Sequence, residues 1–347
     1  MISNKIVFHP LFFVTLISLL LFWACSKPTK HHFDPQPPQE SNYDDGGPSW
    51  SPDGRYIAYE HHGIDNDQWF RHGSYSIWVY DLQLHRYGFL VGPAFNPRWS
   101  PDGSILAFRW GHEIYFYYMA TGAVRQVTNL GREIYLFRWS GNGQYICADY
   151  GHFWLIDSTG TIVRTIQPFD GVITGWAAGS DANWTASCDS ILTLGGFVAN
   201  TWGIYIIDSL GNLIHTILTR QLYTESIHYL AWSPRRNKFA ADYDASINGH
   251  SYSDLRIYRI DGTLDRIISV DAGQGEWSPD GTWLVFRKYT FMGDNPNPYV
   301  IDYGRVTLWV CDSHGHMMKE LLGWPQQGYD STMFGGGYNW YTDTHNP

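Results

Sequence analysis

Fifteen histidine residues make metal binding the first chemistry to consider in this sequence. Imidazole is a common protein ligand for transition metals. The histidines with the most suggestive spacing are His61, His62, His72, His250, His314 and His316. They fall in polar segments that are expected to connect strands, where solvated side chains are the simpler interpretation. We therefore expect no bound metal and no other cofactor.

A second candidate site has oxygen-bearing side chains at alternate positions. Asp242, Asp244, Ser246 and Asn248 precede Gly249, and calcium prefers oxygen ligands of this kind. The glycine comes later than in an EF-hand loop, and no glutamate follows to supply a bidentate ligand. A polar hairpin loop is the preferred interpretation, and calcium bound by Asp242 and Asp244 is the weaker alternative.

Catalytic motifs are not found. The sequence has no Gly-x-Ser-x-Gly segment of the kind that presents a hydrolase nucleophile. Cys147 and Cys311 lie in apolar strand-like segments, where a cysteine usually behaves as a small buried apolar residue. We therefore predict a non-enzymatic protein with no catalytic residue.

A five-residue motif recurs along the chain and must position any functional residue. Near-identical copies span residues 50–54, 99–103 and 277–281, each reading Trp-Ser-Pro-Asp-Gly, and weaker copies begin at Trp139, Trp184 and Trp232. Successive tryptophans are 40 to 49 residues apart. A period of this length with several short strands per repeat predicts a β-propeller.

The residue types in the motif indicate a structural role. Proline, aspartate and glycine favour a tight turn, and the indole ring is large enough to fill the space between neighbouring blades. The residues predicted to be structural are Trp50, Asp53, Gly54, Trp99, Asp102, Gly103, Trp139, Trp232, Trp277, Asp280 and Gly281.

Three strands follow each copy of the motif, whose tryptophan is expected to end the first strand of a four-stranded unit. A short apolar strand comes first, and an aromatic-rich strand such as Ile77–Asp81 leads to an acidic turn and a further strand. Six repeats of this pattern predict an all-β, six-bladed propeller with four antiparallel strands per blade. The segment Gly335–Trp340 resembles one more inner strand, so it either pairs with the first blade or begins a seventh, which is the less favoured count.

The Trp-Ser-Pro-Asp-Gly motif, followed by strands such as Ile57–Tyr59 and Leu284–Phe286, resembles the repeat of TolB-type propellers, also called the WD-like or PD40 repeat. The resemblance covers residues 41–340. It implies a propeller fold and a protein partner in the cell envelope. Similar blades also occur in peptidase propellers, so the resemblance is more specific for fold than for function.

The amino terminus predicts export and lipid attachment. Lys5 precedes an apolar run that ends at Ala24, and Phe22-Trp23-Ala24-Cys25 resembles a bacterial lipobox. We predict a signal peptide at 1–24, a flexible proline-rich linker at 25–48 that starts at lipidated Cys25, and a propeller at 49–347. Ser26 favours the outer membrane with the protein facing the periplasm. Ordinary secretion and a retained membrane helix are the alternatives.

The excess of acidic over basic residues limits the kinds of partner that the protein is expected to bind. The chain has 23 basic and 33 acidic residues, and such acidity argues against nucleic acid, whose binding needs a basic surface. The membrane is expected to be contacted through the lipid anchor.

The connections between the second and third strands differ in length among the blades. Long connections are predicted in blades five, six and one, at residues 244–254, 289–305 and 61–76, and they would form one crescent on a single face. Functional residues are often found on such loops. The predicted partner-binding rim comprises His61, His62, Trp69, Phe70, Arg71, His72, His250, Tyr252, Tyr289, Phe291, Asn295 and Tyr299.

Taken together, these features predict an exported, lipid-anchored propeller that acts as a non-enzymatic protein-interaction or binding module. The alternative is a propeller that binds or processes a carbohydrate or peptide in its central funnel. Carboxylates or histidines clustered in the funnel would favour an enzyme, whereas an aromatic rim over a bland funnel would favour a partner surface.

Overall fold

The structure, a computed structural model, describes residues 43–63, 75–131, 134, 136–149, 152–166, 183–184, 190–196, 201–221, 225–235, 237–247, 250–291, 303–322 and 338–339. All regular secondary structure in these residues is β-strand, which confirms the all-β prediction. Among them no helix is long and apolar enough to span a membrane.

The first twelve strands form units 1 to 3, each with four consecutive strands. Unit 1 contains β1 (Tyr43–Trp50), β2 (Tyr56–Gly63), β3 (Tyr75–Asp81) and β4 (Arg86–Gly92). Unit 2 contains β5 (Phe95–Trp99), β6 (Ile105–Trp110), β7 (Glu113–Tyr118) and β8 (Ala123–Gln126). Unit 3 contains β9 (Leu136–Trp139), β10 (Tyr145–Asp149), β11 (His152–Ile156) and β12 (Ile162–Ile166).

The next twelve strands form units 4 to 6 in the same way. Unit 4 contains β13 (Asn183–Trp184), β14 (Ser190–Gly196), β15 (Thr201–Asp208) and β16 (Leu213–Gln221). Unit 5 contains β17 (Glu225–Trp232), β18 (Lys238–Ile247), β19 (His250–Arg259) and β20 (Leu264–Val270). Unit 6 contains β21 (Ala272–Trp277), β22 (Trp283–Phe291), β23 (Tyr303–Asp312) and β24 (Lys319–Glu320), and β25 (Tyr338–Asn339) follows.

Strands adjacent in sequence pair antiparallel within each unit. Units 2, 3, 4 and 5 are separate four-stranded sheets, whereas units 1 and 6 belong to one nine-stranded sheet. A single parallel bridge between Asp44 of β1 and Val306 of β23 joins these two units. Strand β25 pairs in parallel with β4, so the carboxyl-terminal segment extends the outer edge of unit 1.

The recurrent motif forms the turn between the first two strands of a unit. Trp50 ends β1, and the equivalent tryptophans end β5, β9, β13, β17 and β21, as predicted. The Ser51 hydroxyl donates to Asp53 Oδ1 over 2.5 Å, and the corresponding Ser100–Asp102 and Ser278–Asp280 bonds are each 2.6 Å. The turn closes with glycine in the left-handed region, at φ of 72° for Gly54, 73° for Gly103 and 69° for Gly281.

Apolar cores lie between neighbouring units. Ala58 and Ile77 of unit 1 pack with Leu106 and Phe108 of unit 2, and similar clusters join units 2 and 3, 4 and 5, and 5 and 6. Side chains of units 1 and 6 share another cluster, which includes Tyr59 and Leu308. The first strands also contact one another in chain order, from β1 through β5, β9, β13 and β17 to β21, and β21 contacts β1.

The tryptophans connect units by hydrogen bonds as well as by packing. The Trp139 indole N–H donates to the Arg98 carbonyl over 2.9 Å, and that of Trp277 donates to the Ala231 carbonyl over 3.1 Å. Trp50 makes the same bond to the Glu276 carbonyl over 3.2 Å, across the junction of units 1 and 6. Each acceptor precedes the tryptophan of the preceding unit.

One predicted boundary is wrong. Strand β1 begins at Tyr43, so the folded region starts before residue 49, where the propeller was expected to begin. The glycine and acidic residues of 43–48 have low strand propensity, so their sequence predicts a continuation of the linker. The glycines are accommodated by a β-bulge, and Asp45 is completely buried.

Candidate functional site: the axial cavity

A cavity of about 440 Å³ lies among the first strands β1, β5, β9, β17 and β21. Since the first strands contact one another in sequence, the cavity lies on the axis around which the units are arranged, and we call it the axial cavity. Its size is within the range of about 300 to 1,000 Å³ typical of small-molecule sites. The lining residues are Gly47, Pro48, Glu60, Phe95, Asn96, Arg98, Arg109, Leu136, Arg138, Tyr229, Gln274, Gly275 and Glu276.

A β-bulge in the first strand shapes the wall in four units. The pairing register shifts just before the tryptophan in β1, β5, β17 and β21. The residue three positions before the tryptophan is left-handed in each case, with φ of 54° at Gly47, 53° at Asn96, 46° at Tyr229 and 51° at Gln274. Such a conformation costs a tyrosine or glutamine on the order of 1 to 3 kcal/mol and is concentrated at functional sites.

Acidic side chains from the preceding unit hold two of these bulges. Glu60 Oε1 accepts the Asn96 backbone N–H over 2.6 Å. Asp242 accepts the Gln274 backbone N–H at both carboxylate oxygens, over 2.7 and 2.8 Å. Glu60 and Asp242 are both ten residues after the motif tryptophan of their units. The same type of contact therefore fixes two walls of the cavity.

The bulge of unit 1 is held by a neutral group instead. The Gln274 side-chain oxygen accepts the Gly47 backbone N–H over 2.6 Å. A Cβ atom on Gly47 would lie 2.7 Å from Glu60 Oε1, which explains why glycine is required at this bulge. This contact, together with the Trp50 bond, connects unit 6 to unit 1 beside the cavity.

Guanidinium groups dominate the cavity. Arg138 of unit 3 forms an ion pair with Glu276 of unit 6, and Arg98 Nη2 lies 3.7 Å from the same Glu276 oxygen. Two other units lie between units 3 and 6 in either direction along the contacts of the first strands. The Arg138–Glu276 pair therefore spans the axis.

Backbone carbonyls hold the other two arginines. Arg98 Nη1 donates to the Pro97 carbonyl over 2.8 Å and approaches the Gly47 and Pro48 carbonyls at 3.4 Å. Arg109 Nη1 donates to the Ile134 carbonyl over 2.9 Å, and its guanidinium lies 5.2 Å from the centre of the Phe95 ring.

The carboxyl group of Glu60 is electrostatically perturbed. Burial raises its pKa above the ordinary range of glutamate, against the Asn96 hydrogen bond and the charges of Arg98 and Arg109. Loss of solvation outweighs these favourable interactions. The cavity consequently favours the protonated form of Glu60 more than water does.

Two residues of the predicted rim are wrong. His61 and His62 belong to strand β2 and are only 6% and 4% exposed. His61 Nδ1 lies 2.6 Å from Asp45 Oδ1, and the His62 ring stacks on Tyr75 at 4.1 Å. They pack inside unit 1 because β2 continues beyond its apolar segment, so they offer no surface to a partner.

The other rim residues fall into two groups. Trp69, Phe70, Arg71, His72, Asn295 and Tyr299 lie outside the described residues. His250 and Tyr252 occupy strand β19, Tyr289 and Phe291 occupy β22, and the Arg287 guanidinium lies 4.9 Å from the Tyr289 ring centre. The long connection predicted at residues 244–254 is wrong, because β18 extends to Ile247 and β19 begins at His250.

The suggested calcium ligands lie in a strand and not in a hairpin loop. Asp242 and Asp244 occupy β18, and Asp242 is 4% exposed and bound to the Gln274 backbone. In the described part of the chain, no group of three or more histidine, cysteine, aspartate or glutamate side chains is arranged to hold a metal. The alternate spacing of the aspartates reflects strand geometry.

The cavity residues do not belong to the recurrent motif or to the predicted rim. The sequence does contain a pattern that could have located them. Lining residues lie one and three positions before the motif tryptophan, as Arg98 and Asn96 do. Alternate residues of a strand share a face, so these positions face the same side. The position ten residues after the tryptophan contributes Glu60 and Arg109.

Comparisons with known proteins identify the fold. No protein-family model matches this chain, and no curated protein sequence is significantly similar to it. The solved structure of putative TolB from Agrobacterium tumefaciens is similar with a TM-score of 0.52 and 20% identity, covering 71% of this chain and 87% of that one. Hydrazine synthase from Kuenenia stuttgartiensis is similar with a TM-score of 0.50 and 14% identity, covering 82% and 80%.

TolB from Acinetobacter baumannii gives a TM-score of 0.47 at 19% identity, covering 63% of this chain and 53% of that chain, about half of its length. At these identities the likeness concerns the fold alone. Putative TolB and hydrazine synthase share this fold, so the fold alone does not determine the function. The chain has the all-β propeller fold of TolB-like proteins.

Proposed function

We propose that this protein is an exported, lipid-anchored, six-bladed propeller that acts as a non-enzymatic binding module of the cell envelope and holds its ligand in the axial cavity. Six sets of four strands support the blade count. The contact of β21 with β1 and the apolar cluster shared by units 1 and 6 support a closed ring.

The observation that favours the axial cavity is its charged and conformationally costly wall. Glu60, Glu276 and three arginines converge on it, and Tyr229 and Gln274 are held in a left-handed conformation beside it. Proteins retain strained residues mainly where the arrangement has a use. A funnel of this kind favours ligand binding inside the ring over a partner docked on the rim.

The lining groups suit binding better than covalent chemistry. Guanidinium, amide and carboxyl groups donate or accept hydrogen bonds, and Phe95, Leu136 and Tyr229 supply apolar contact area. The ligand is therefore a small molecule, or a polar group of an envelope protein, peptide or carbohydrate.

Site-specific crosslinking in living cells tests this proposal. A photoreactive residue at Leu136, which lines the cavity, should capture a ligand, whereas the same residue at Leu213, which is 43% exposed on β16, should not. The added substitution Tyr229→Ala, which removes another side chain of the cavity wall, should reduce capture at position 136. Capture from position 70 of the predicted rim but not from position 136 would contradict the proposal and favour the rim.

The lipid anchor requires a separate test. We expect Cys25→Ser to move the protein from the membrane fraction to the soluble fraction of the envelope, because the modified thiol would be lost. An unchanged distribution would contradict lipid attachment at Cys25 without affecting the proposal for the cavity.

A further inference from the structure

The axial cavity has an excess of positive charge in an otherwise acidic protein. Its lining includes Arg98, Arg109 and Arg138 but only two acidic residues, Glu60 and Glu276. The excess is one positive charge when both carboxyls are ionised, whereas the whole chain has a net charge of −10. A cleft with low-dielectric walls focuses the field of such groups on an entering ligand.

The guanidinium groups are held in place before any ligand arrives. Carbonyl oxygens fix Arg98 and Arg109, and Arg98 is only 6% exposed. Carbonyl groups carry no formal charge, and Arg98 also lies 3.7 Å from a Glu276 carboxylate oxygen. A ligand that meets prearranged donors loses less free energy to ordering of the site.

Asn96 provides an independent indication of a missing acceptor. It lines the cavity and is 5% exposed. Its side-chain Nδ2 has no hydrogen-bond partner among the described residues. A buried amide donor without a partner costs on the order of 1 to 3 kcal/mol, and a bound acceptor would remove that cost.

On the basis of the proposed function, we infer that the ligand of the axial cavity has a carboxylate group, and that Arg109 and the Asn96 amide bind this group. Guanidinium groups pair with carboxylates through two parallel hydrogen bonds. One monoanionic carboxylate balances the excess charge of the lining. With Glu60 ionised, a phosphate dianion would exceed this charge, and Glu276 would repel it more strongly than a carboxylate.

Matched probes test this inference on the purified full chain. The probes are an N-acetylated tripeptide with a free carboxyl terminus, the same tripeptide as its amide, glucuronate, glucose and inorganic phosphate. Ligand-induced thermal stabilisation and equilibrium dialysis measure binding. We expect the free tripeptide or glucuronate to bind and the uncharged twin to bind at least about tenfold more weakly, which corresponds to about 1.4 kcal/mol.

Three variants locate the carboxylate. Arg109→Gln should weaken binding of the carboxylate about tenfold. Arg125→Gln, a matched change of an arginine that binds the Ser158 carbonyl, should leave it unchanged. Glu60→Gln keeps a side-chain acceptor for the Asn96 N–H but removes a negative charge, so it should strengthen binding of the carboxylate.

The outcomes separate the two proposals. Equal binding of a neutral twin, or preferential binding of phosphate, would overturn the carboxylate inference while leaving a ligand in the cavity. Failure of every carboxylate to bind, with capture still observed at position 136 in cells, would overturn the inference alone. Carboxylate binding unaffected by both Arg109→Gln and Glu60→Gln would place the anion elsewhere.

Discussion

Individual residues of the first strand determine whether the cavity exists. The position three residues before the tryptophan turns left-handed in four units, and the backbone N–H at three of these positions meets an acceptor from the preceding unit, as between Asn96 and Glu60. The conformation is unfavourable for Tyr229 and Gln274, so the bonds and packing around the axis must outweigh it. The identity of a single residue at this position is therefore coupled to the neighbouring unit.

Gly47→Ala tests this coupling. The alanine would have to adopt a left-handed backbone conformation, and its Cβ would lie 2.7 Å from Glu60 Oε1. We expect the free energy of unfolding, measured in denaturant, to fall by more than about 1 kcal/mol. Gly54→Ala is the control, because its φ is 72° but no atom lies within 4 Å of the new Cβ. Equal losses in both variants would contradict a steric role for Glu60.

Glu60→Gln should change the pH dependence of stability. Burial raises the pKa of Glu60, so its ionised form opposes folding at neutral pH. The variant should have a higher free energy of unfolding at neutral pH. The gain should disappear below about pH 4, where glutamate is protonated in the unfolded chain as well. Denaturant titrations across the pH range measure the difference.

The control variant should change the free energy of unfolding in the opposite direction. The hydroxyls of Ser278 and Thr282 and the Thr282 backbone N–H hold the pKa of Asp280 below its ordinary range. Asp280→Asn should therefore lower the free energy of unfolding at neutral pH, and its deficit should shrink as the pH falls. A Glu60→Gln variant that followed this pattern would show that the net effect of its charge is stabilising.

The turn residues are predictable from the sequence, whereas the cavity residues are not. Asp53 and Gly54 act within their own five-residue segment, so residue type and order specify their role. The roles of Glu60 and His61 depend on partners elsewhere in the chain. Glu60 binds Asn96 of the next unit, and His61 contacts Asp45, which is 16 residues away. Polar residues at the end of a strand therefore resemble an exposed loop until their partners are known.

At the scale of the strand, the motif tryptophan links neighbouring units. Its strand ends at the turn, and its indole N–H reaches a backbone carbonyl of the preceding unit in three cases. A recurring tryptophan predicted the ends of the first strands correctly, because its position relative to the turn is fixed. It did not predict how far the second strand continues, since that depends on pairing with β3 or β19.

Trp277→Phe isolates the indole hydrogen bond. The change leaves the Ala231 carbonyl without its indole donor and removes a bond of 3.1 Å. We expect the free energy of unfolding to fall by about 1 to 3 kcal/mol. Trp232→Phe is the matched control, because the Trp232 Nε1 has no hydrogen-bond partner among the described residues. A loss in Trp232→Phe as large as that in Trp277→Phe would assign the effect to ring size instead.

At the scale of the whole molecule, the same charges stabilise the ring and restrict the cavity. Arg138 and Glu276 connect units 3 and 6 across the axis, and their side chains are 11% and 18% exposed. Breaking a buried ion pair leaves one charge uncompensated, which is costly. Glu276 also lines the cavity, so its charge would repel a ligand carboxylate bound by Arg109 and Asn96. Stability and affinity should therefore change in opposite directions when Glu276 is altered.

Glu276→Gln tests this opposition. We expect the free energy of unfolding to fall by about 3 kcal/mol, the lower end of the cost of breaking a buried pair, because Arg138 and Arg98 lose their acidic partner. Carboxylate binding should become tighter, because a negative charge that repels the ligand is removed from the cavity lining. Asp265→Asn is the control: its partners Arg259 and Arg266 are 53% and 33% exposed, so the loss should be below about 1 kcal/mol, with binding unchanged. Weaker carboxylate binding in Glu276→Gln would mean that Glu276 positions the arginines for the ligand and that this role outweighs its repulsion of the carboxylate.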